Sequence, residues 1–446
     1  NAPRDRVMIF EDFAPDGQAR KITEFAHGFN IPIGIYPFRS PSSTNPKQLT
    51  WKCVMWSIPN IWLLEDTDGD GQADKQEKLF GPFDFTRDTH GNQASFRRGF
   101  DGWLYATHGF SNNSKVSGKD GHEVEMSSGN TYRMRLDGSR LEHHTWGQVN
   151  PFGLYFDPLG NLYSADCHSS PIYQLLRGAY YPSFGKPHDG LGFAPVTIQH
   201  SHGSTAICGI QMITDPSWPA EFQGNLIIGN VMTSRINRDR VEWLGSSSKG
   251  HEQPDFLTTD DPWFRPVDLQ FGPDGALYVA DFYNRIIGHY EVPLTHPGRD
   301  RERGRIWRIV YKGADGKAVL PSPKLPEDLK GLMAELGSPL MTRRTLAMNT
   351  IADVHGKAFA KISLKAPWQE SKGKKALALD AAAYEQSAEV LRYVHLLWLR
   401  ERLGALKDKE LEQALQAPVA SARVHALRIV ADRGLARQNI PTAPAL

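Results

Sequence analysis

The sequence predicts an all-β propeller of six blades, the first of them incomplete, followed by an all-α domain of HEAT-like helical repeats. The main observation is a hairpin pattern, in which apolar and polar residues alternate around a turn that contains glycine. It occurs as FDGWLY, DPLGNLY, FQGNLI and GPDGALY. If the large residue after each turn serves as a marker, the copies recur roughly every 50–60 residues, an interval typical of propeller blades. The markers are Tyr105, Tyr163, Ile227 and Tyr278.

The start of the chain predicts half a blade. Residues 6–29 and 61–83 repeat one pattern, which is a strand, Glu-Asp, a polar loop and a second strand. Two strands precede the second copy and none precede the first. Residues 304–313 would form the outer strand of the last full blade, and the initial half would belong to a sixth blade. A five-bladed ring is the alternative. A closed ring of either size would remove the open edges of the sheets. Blade-opening strands are expected near Asn30, His90, Asn150, His202 and Phe264.

The composition changes after Tyr311. The propeller is expected over residues 1–312, a linker that contains proline and lysine over 313–330, and a helical domain over 331–446. Within the last segment, the stretches RRTLAMNTIAD, LRYVHLLWLRE and ARVHALRIVAD carry apolar residues at helical spacing. They predict the paired helices of a short α-solenoid.

The overall charge argues against nucleic acid as a partner. The chain of 446 residues has 51 lysines and arginines against 50 aspartates and glutamates, a net charge of +1. Such a balance provides no basic field for a phosphate backbone. No apolar run is long enough to cross a membrane. Cys53, Cys167 and Cys208 form no CxxC pair, and either one disulfide or three buried thiols would fit.

A calcium-binding loop is predicted at DTDGDGQADKQE, residues 66–77. The stretch matches the pattern D-x-[DN]-x-[DN]-G-x5-E, in which oxygen ligands surround a hard cation. Strands rather than helices flank it, so we expect a structural ion in a hairpin loop, and a solvated acidic turn is the alternative. The expected ligands are the carboxylates of Asp66, Asp68, Asp70, Asp74 and Glu77 and the backbone carbonyl of Gln72.

A second set of polar residues is expected to converge, because the first strands of all propeller blades begin at one face of the ring. An imidazole there could accept a proton, and a guanidinium could hold an anionic planar group. Asp166 and Asp281, at the ends of second strands, could orient these groups or bind a second calcium ion. Each residue taken alone also fits a purely structural hydrogen-bonding role. The residues beside the first strands are His90, Asn150, His202 and Arg265.

Several stretches resemble the glucose/sorbosone dehydrogenase family, which are six-bladed propellers that use pyrroloquinoline quinone. The closest resemblance is to the membrane-bound dehydrogenase or haem-binding propellers of planctomycetes and related bacteria, in which HEAT-like helices follow the propeller. The resemblance covers residues 1–440. The stretches that carry it are HGNQASFRRGFDGWLYATHG, VNPFGLYFDPLGNLY, ICGIQMITDPSWPAEFQGNLI and FRPVDLQFGPDGALYVAD.

The resemblance implies that His90 is the base that takes the alcohol proton, that Arg265 contacts the quinone and that Asn150 lies near it. The sequence departs from the family where Val149 replaces an arginine and Thr89 replaces an acidic residue. It also shows no counterpart of the cofactor-binding lysine. No CxxCH motif occurs, so no covalent haem is expected on this chain.

Taken together, the residues and the resemblance predict a secreted or periplasmic quinoprotein-like dehydrogenase that oxidises a sugar or polyol. His90 would act as general base, Arg265 would stabilise the reduced quinone with help from Asn150 and His202, and electrons would pass to an external cytochrome c. One alternative is a calcium-dependent hydrolase of the lactonase type, in which a metal activates water. The other is a non-catalytic binding module built from the propeller and the solenoid.

Overall fold

The fold was analysed in a computed structural model, which describes residues 3–14, 16–89, 92–168, 172–204, 206–288, 292–293, 295–313, 315–316 and 321–436. The chain divides into two compact units. The first comprises Asn1–Gly99, Trp103–Asp157 and Asn161–Pro321, and the second comprises Phe100–Gly102, Pro158–Gly160 and Ser322–Leu446. Within the described segments, no helix combines the length and the apolar character needed to cross a bilayer.

The first unit consists of antiparallel sheets in a propeller-like arrangement. Most are meanders, in which consecutive strands pair across short turns, as the hairpin pattern predicts. The sheets are β1 (Asp5–Phe13) and β2 (Ala19–Phe29); β3 (Ile35–Pro41), β4 (Leu49–Ser57), β5 (Asn60–Glu65) and β6 (Lys75–Phe80); β7 (Ala94–Arg98), β8 (Leu104–His108), β11 (Asn130–Met134) and β12 (Leu141–Thr145); β9 (Asn113–Ser117) and β10 (Glu123–Ser127); β13 (Asn150–Phe156), β14 (Leu162–Cys167) and β15 (Ile172–Leu175); β16 (Ile207–Met212), β17 (Asn225–Asn230), β18 (Arg235–Leu244) and β19 (Ser247–Thr258); and β20 (Pro266–Phe271), β21 (Leu277–Asp281) and β22 (Arg305–Ile309).

The first strands of these sheets follow one another around a closed curve. Strand β3 packs against β7, β7 against β13, β13 against β16 and β16 against β20. Stacked sheets are about 10 Å apart, so a straight row would separate β7 from β20 by about 30 Å. Instead, Arg97 Nη2 of β7 lies 2.7 Å from Asp268 Oδ1 of β20. The row of sheets therefore curves back on itself, as in a propeller, while the number of blades stays a prediction.

The core of the first unit lies between neighbouring sheets. One cluster joins Trp56 of β4 and Leu104 of β8 with Phe83 and Tyr132. Another joins Tyr163 of β14 with residues of β16 and β17. Because both faces of an inner sheet meet a neighbour, its strands contain runs of buried residues, and all six residues of β17 are buried.

Two small sheets bear on the expected pattern, one at the start of the chain and one between β8 and β11. Strand β1 pairs only with β2 among the described strands, in agreement with the half blade expected at the start of the chain. The hairpin β9–β10 is an insertion between β8 and β11 that the sequence pattern did not indicate. Its strands alternate between exposed and buried residues, so one face of the hairpin packs and the other meets solvent.

The second unit is helical. The three stretches predicted as helices lie inside α2 (Met341–Val354), α6 (Ala388–Arg402) and α8 (Ala420–Ala436). Helix α2 packs against α6, which in turn packs against α8. Their apolar residues, such as Ile351 and Leu397, are fully buried. Whether these helices form HEAT repeats stays a prediction. The helices are α1 (Leu329–Glu335), α2 (Met341–Val354), α3 (Gly356–Phe359), α4 (Ser371–Leu379), α5 (Ala381–Glu385), α6 (Ala388–Arg402), α7 (Asp408–Leu415) and α8 (Ala420–Ala436).

All three cysteines are free thiols. Of the two possibilities open from the sequence, the structure therefore supports thiols rather than a disulfide. Burial raises the pKa of Cys53 and Cys167 to about 12, so both stay protonated at neutral pH.

Candidate functional site

Asp166 and Asp281, two predicted cofactor ligands, both bind backbone at the ends of their strands. The two carboxylate oxygens of Asp166 accept hydrogen bonds from the N–H groups of Val149 and Asn150, at 3.0 and 2.6 Å. Asp281 Oδ1 accepts from the N–H groups of Arg265 and Tyr283, both at 2.8 Å. Each aspartate thus holds the backbone at or just before the start of the first strand of its own sheet.

Ser57 makes the equivalent bond in the sheet β3–β6, where its Oγ accepts from Asn30 N–H at 2.9 Å. Because the same kind of bond recurs in three sheets, side chains at this position stabilise the backbone that leads into the first strand. A direct role of the two aspartates in cofactor binding stays a prediction, and it would have to compete with these backbone bonds.

Arg265 is buried and directs its guanidinium at the protein rather than at open space. Its Nε donates to Asn284 O at 2.8 Å, Nη1 donates to Val231 O at 2.6 Å, and Nη2 donates to Arg285 O at 3.0 Å. Burial lowers the pKa of this guanidinium, although it stays charged at any ordinary pH. All three nitrogens donate to protein acceptors, so a quinone would have to compete with these bonds, and contact between Arg265 and a quinone stays a prediction.

Asn150 begins β13 and is buried. Its Oδ1 accepts a hydrogen bond from Phe110 N–H at 3.1 Å, which ties the segment after β8 to the start of the next sheet. His90, the predicted base, lies outside the described residues. Its expected proximity to Asn150 and Arg265 therefore stays a prediction.

A cleft of about 840 Å³ opens between the β9–β10 hairpin and residues 180–187. It lies at the end of the sheets where β8 and β12 finish and β11 and β13 begin. Among its lining residues, Trp146 and Tyr180 stack with ring centroids 5.3 Å apart and ring planes 8° from parallel. Lys186 donates from Nζ to Ser127 Oγ at 3.2 Å, and burial lowers the pKa of this lysine. Aromatic faces beside a few fixed polar groups are typical of small-molecule sites.

His202, the fourth residue expected at the first strands, contacts the third strand of its sheet instead. Its Nε2 lies 2.7 Å from Asp239 Oδ2 of β18, and its side chain is 1% exposed. His200 Nε2 approaches the other oxygen of Asp239 at the same distance of 2.7 Å. The structure therefore brings the His202 imidazole together with His200 and Asp239, and its expected convergence with Arg265 stays a prediction.

The predicted calcium loop connects β5 and β6. The carboxylates of Asp66, Asp68 and Asp70 converge, with one oxygen of each within 4.8 Å of the others. Asp66 also accepts backbone bonds from Gly69 and Gly71, at 2.6 and 3.0 Å. Gly71 has a φ of +92°, as the sharp turn expected at this position requires. The loop thus has three convergent oxygen donors, and the ion itself stays a prediction.

Two of the expected calcium ligands face other partners. Asp74 accepts hydrogen bonds from Thr67 N–H and Thr67 Oγ1, at 3.2 and 2.7 Å. Glu77 lies in β6, where its Oε1 is 2.7 Å from Lys119 Nζ. The pattern could not show this, because Lys119 is supplied by the inserted β9–β10 hairpin. For calcium to bind six oxygens, these two side chains would have to turn or water would have to replace them.

The fold is that of a propeller-like β protein followed by helices, with clusters of polar residues at the ends of its sheets. The chain belongs to the family described as a domain of unknown function (DUF7133), whose sequence pattern matches residues 1–313. None of the curated proteins matches the chain.

The chain is similar to several solved structures at low identity. They include the PQQ domain of pyranose dehydrogenase from Coprinopsis cinerea, with 11% identity, a TM-score of 0.41 and coverage of 63% of this chain and 90% of that chain. The PQQ-bound aldose sugar dehydrogenase from Streptomyces coelicolor has 14% identity, a TM-score of 0.33 and coverage of 69% and 99%. The soluble aldose sugar dehydrogenase from Escherichia coli has 18% identity, a TM-score of 0.33 and coverage of 60% and 77%.

Sequence reasoning missed three residues that the structure brings into polar clusters: His200, Asp239 and the aromatic Trp146. The spacing His-x-His in QHSH was a usable signal, because residues i and i+2 of an extended segment point to the same side. Nothing local marks Asp239, since it is separated from the histidines by two strands.

Proposed function

We propose that this chain is a dehydrogenase of the quinoprotein type that oxidises a hydroxyl group of a sugar or polyol. The observation that supports it best is the cleft lined by Trp146, Tyr180 and Lys186, because stacked aromatic rings and a lysine ammonium suit a polar, flat-faced ligand. Strand β7, which follows His90 in the sequence, begins opposite the end of β8, where Ala94 pairs with Thr107. It therefore begins at the end of the sheets where the cleft lies.

In this proposal, the residues of the chain bind the sugar and remove a proton. Trp146 and Tyr180 form the aromatic wall, and His90 is the general base that takes the hydroxyl proton. Pyrroloquinoline quinone is the electron acceptor implied by the sequence resemblance. The expected contacts of the quinone stay Arg265, Asn150, His202, Asp166 and Asp281, and the protein acceptors of Arg265 would compete with it. A secreted or periplasmic location and an external cytochrome c as the next electron acceptor belong to the same proposal.

The test is a dye-reduction assay on the full chain, incubated with calcium and pyrroloquinoline quinone and offered a panel of aldoses and polyols. We expect substrate-dependent reduction that falls about 100-fold or more in kcat in His90→Gln, as loss of a general base predicts. His122→Gln is the matched control, because His122 is exposed on the β9–β10 turn. Trp146→Ala should raise KM more than it lowers kcat.

The proposal fails if the wild-type chain retains no quinone and reduces no dye with any substrate of the panel. Hydrolysis of a sugar lactone without quinone would favour the lactonase-type alternative instead. In that alternative, Asp166, Asp281 and Asn150 would bind the metal, and both carboxylates already accept backbone N–H groups.

A further inference from the structure

A compact group of two imidazoles and one carboxylate lies away from the cleft and the calcium loop. His200 and His202 belong to the connection between β15 and β16, and Asp239 belongs to β18. The connection is fixed on both sides. Gly250 N–H donates to Thr197 O at 2.7 Å, and Asn230 Nδ2 donates to His202 O at 3.1 Å. The backbone that carries the two histidines is therefore held against its own sheet before any ligand binds.

The three side chains direct their donor atoms at one another. Both imidazole Nε2 atoms lie 2.7 Å from Asp239, one at each carboxylate oxygen. The two rings are nearly perpendicular, at 87°, with centroids 5.0 Å apart. One ligand atom from each of the three residues lies within 4.8 Å of the others.

The burial of the Asp239 carboxylate has an energetic cost that a nearby positive charge must offset. The side chain of Asp239 is 0% exposed and that of His200 is 26% exposed. A buried carboxylate must be compensated by a positive charge. A proton on an imidazole can supply it, and so can a metal ion that replaces that proton.

We propose that His200, His202 and Asp239 bind a divalent transition-metal ion of the zinc type. Imidazole nitrogens favour zinc and similar metals over calcium, which prefers oxygen. Zinc bound about 2.0–2.2 Å from each donor needs the donors about 3.3 Å apart, so the present contacts must lengthen by about 0.6 Å. His200, the exposed member of the group, can move away from Asp239 freely, whereas the contact between the buried His202 and Asp239 must lengthen inside the protein.

The surroundings of His202 also suit a metal ligand. Glu252 Oε1 lies 3.5 Å from His202 Nδ1, on the side of the ring opposite Asp239. A carboxylate in that place favours a proton on Nδ1 and leaves the Nε2 lone pair for the metal. With three protein ligands and one of them partly exposed, a fourth position is left for water or a ligand oxygen. None of its residues lines the cleft, and a zinc titration without quinone tests the site apart from the dehydrogenase proposal, in which His202 is an expected cofactor contact.

The test is a zinc titration of the full chain without a histidine tag, after removal of metals with a chelator and in excess calcium to occupy the acidic loop. A chromophoric chelator competes for zinc, and cobalt replaces zinc in a parallel titration so that its visible spectrum reports nitrogen ligands. We expect one zinc per chain. His200→Ala and Asp239→Asn should weaken binding by more than the ~10–100-fold that loss of an outer hydrogen-bonding partner costs.

The matched control is His251→Ala. His251 lies in β19 and pairs with Glu242 of β18 at 2.6 Å, so it repeats a histidine–carboxylate contact to the strand that carries Asp239. Zinc should raise the Tm of the wild type and of His251→Ala but not of His200→Ala. His200→Ala removes the most exposed member and is the variant most certain to fold. Equal zinc binding by wild type and His200→Ala, or no zinc binding by the wild type, would overturn the proposal and leave a proton as the compensating charge.

Discussion

Arg97 and Asp268, 171 residues apart in the sequence, form an ion pair with Nη2 and Oδ1 2.7 Å apart. Asp268 Oδ2 also accepts a hydrogen bond from Gln270 Nε2 at 3.0 Å. The pair joins the first strands β7 and β20, although β13 and β16 lie between them in the row of sheets. It therefore links two non-neighbouring sheets directly and stabilises the curved arrangement of the sheets.

Breaking this pair should destabilise the first unit by about 1 kcal/mol in Asp268→Asn. The expectation lies between the ~0.2–1 kcal/mol of exposed pairs and the ~3–5 kcal/mol of buried ones, because the side chains are 15% and 38% exposed. Urea unfolding of Arg97→Met, Asp268→Asn and the double variant gives the coupling energy. Glu24→Gln, in the exposed pair with Arg6, should change stability less. A coupling energy of zero would contradict the assigned role.

The parts of the fold that the sequence predicted are those encoded locally. The turn and the alternation in FDGWLY and GPDGALY lie within a few residues, and each became a hairpin, β7–β8 and β20–β21. The acceptors of Arg265 could not be predicted, because they are backbone carbonyls of residues 231, 284 and 285, which any side chain would provide equally well.

The same limit explains the other candidate sites. Asp166 and Asp281 occupy matched positions in the repeat, and in the structure they make the same contact. Each carboxylate accepts a hydrogen bond from a backbone N–H group near the start of the first strand of its sheet. His202 was assigned by its place before β16, whereas its actual partner Asp239 is brought close only by the pairing of β17 with β18. A residue's position in a repeat therefore predicts its strand, while the direction of its side chain depends on long-range pairing.

Calcium should stabilise the chain through the acidic loop. At a free concentration 100 times its dissociation constant, one ion adds about 2.7 kcal/mol to the free energy of unfolding. Asp70→Asn removes one of the three convergent carboxylates and should abolish most of the calcium-dependent rise in Tm. Asp16→Asn is the control, because Asp16 is exposed in the first copy of the pattern, where Ala14, Arg20 and Thr23 replace three of the carboxylates. An equal calcium response in Asp70→Asn would exclude this loop as the site.

Asp281→Ala should lower stability by about 1–3 kcal/mol, because it leaves one buried and two partly buried donors without an acceptor. Besides the N–H groups of Arg265 and Tyr283, Trp307 Nε1 donates to Asp281 Oδ2 at 2.9 Å. Asp260→Ala, at an exposed position nearby, should change stability little. The measurement is urea unfolding without cofactor. A variant of unchanged stability that had lost only quinone affinity would show that Asp281 is a ligand rather than a brace.

Acid should destabilise the chain in part through His108. This imidazole lies 2.8 Å from Ser128 O and 2.8 Å from Ser114 Oγ. The carbonyl can only accept, so Nδ1 donates to Ser128 O and Nε2 accepts from the hydroxyl of Ser114. Burial lowers the pKa of His108 from 6.5 to about 4, and the neutral imidazole is therefore the native form.

The direction of the pH effect follows from this shift. Below pH 6.5 the unfolded chain binds a proton at His108 that the native chain does not bind. The contribution of His108 to the free energy of unfolding is therefore complete above pH 6.5 and is lost as the pH drops towards 4. The loss from this residue reaches about 3 kcal/mol. Urea unfolding between neutral and acid pH should give a shallower pH slope in His108→Gln than in the wild type, while the exposed-site variant His122→Gln keeps the wild-type slope. If His108→Gln kept the wild-type slope as well, the native imidazole would have to be charged, and the hydrogen bond accepted by Nε2 could not exist.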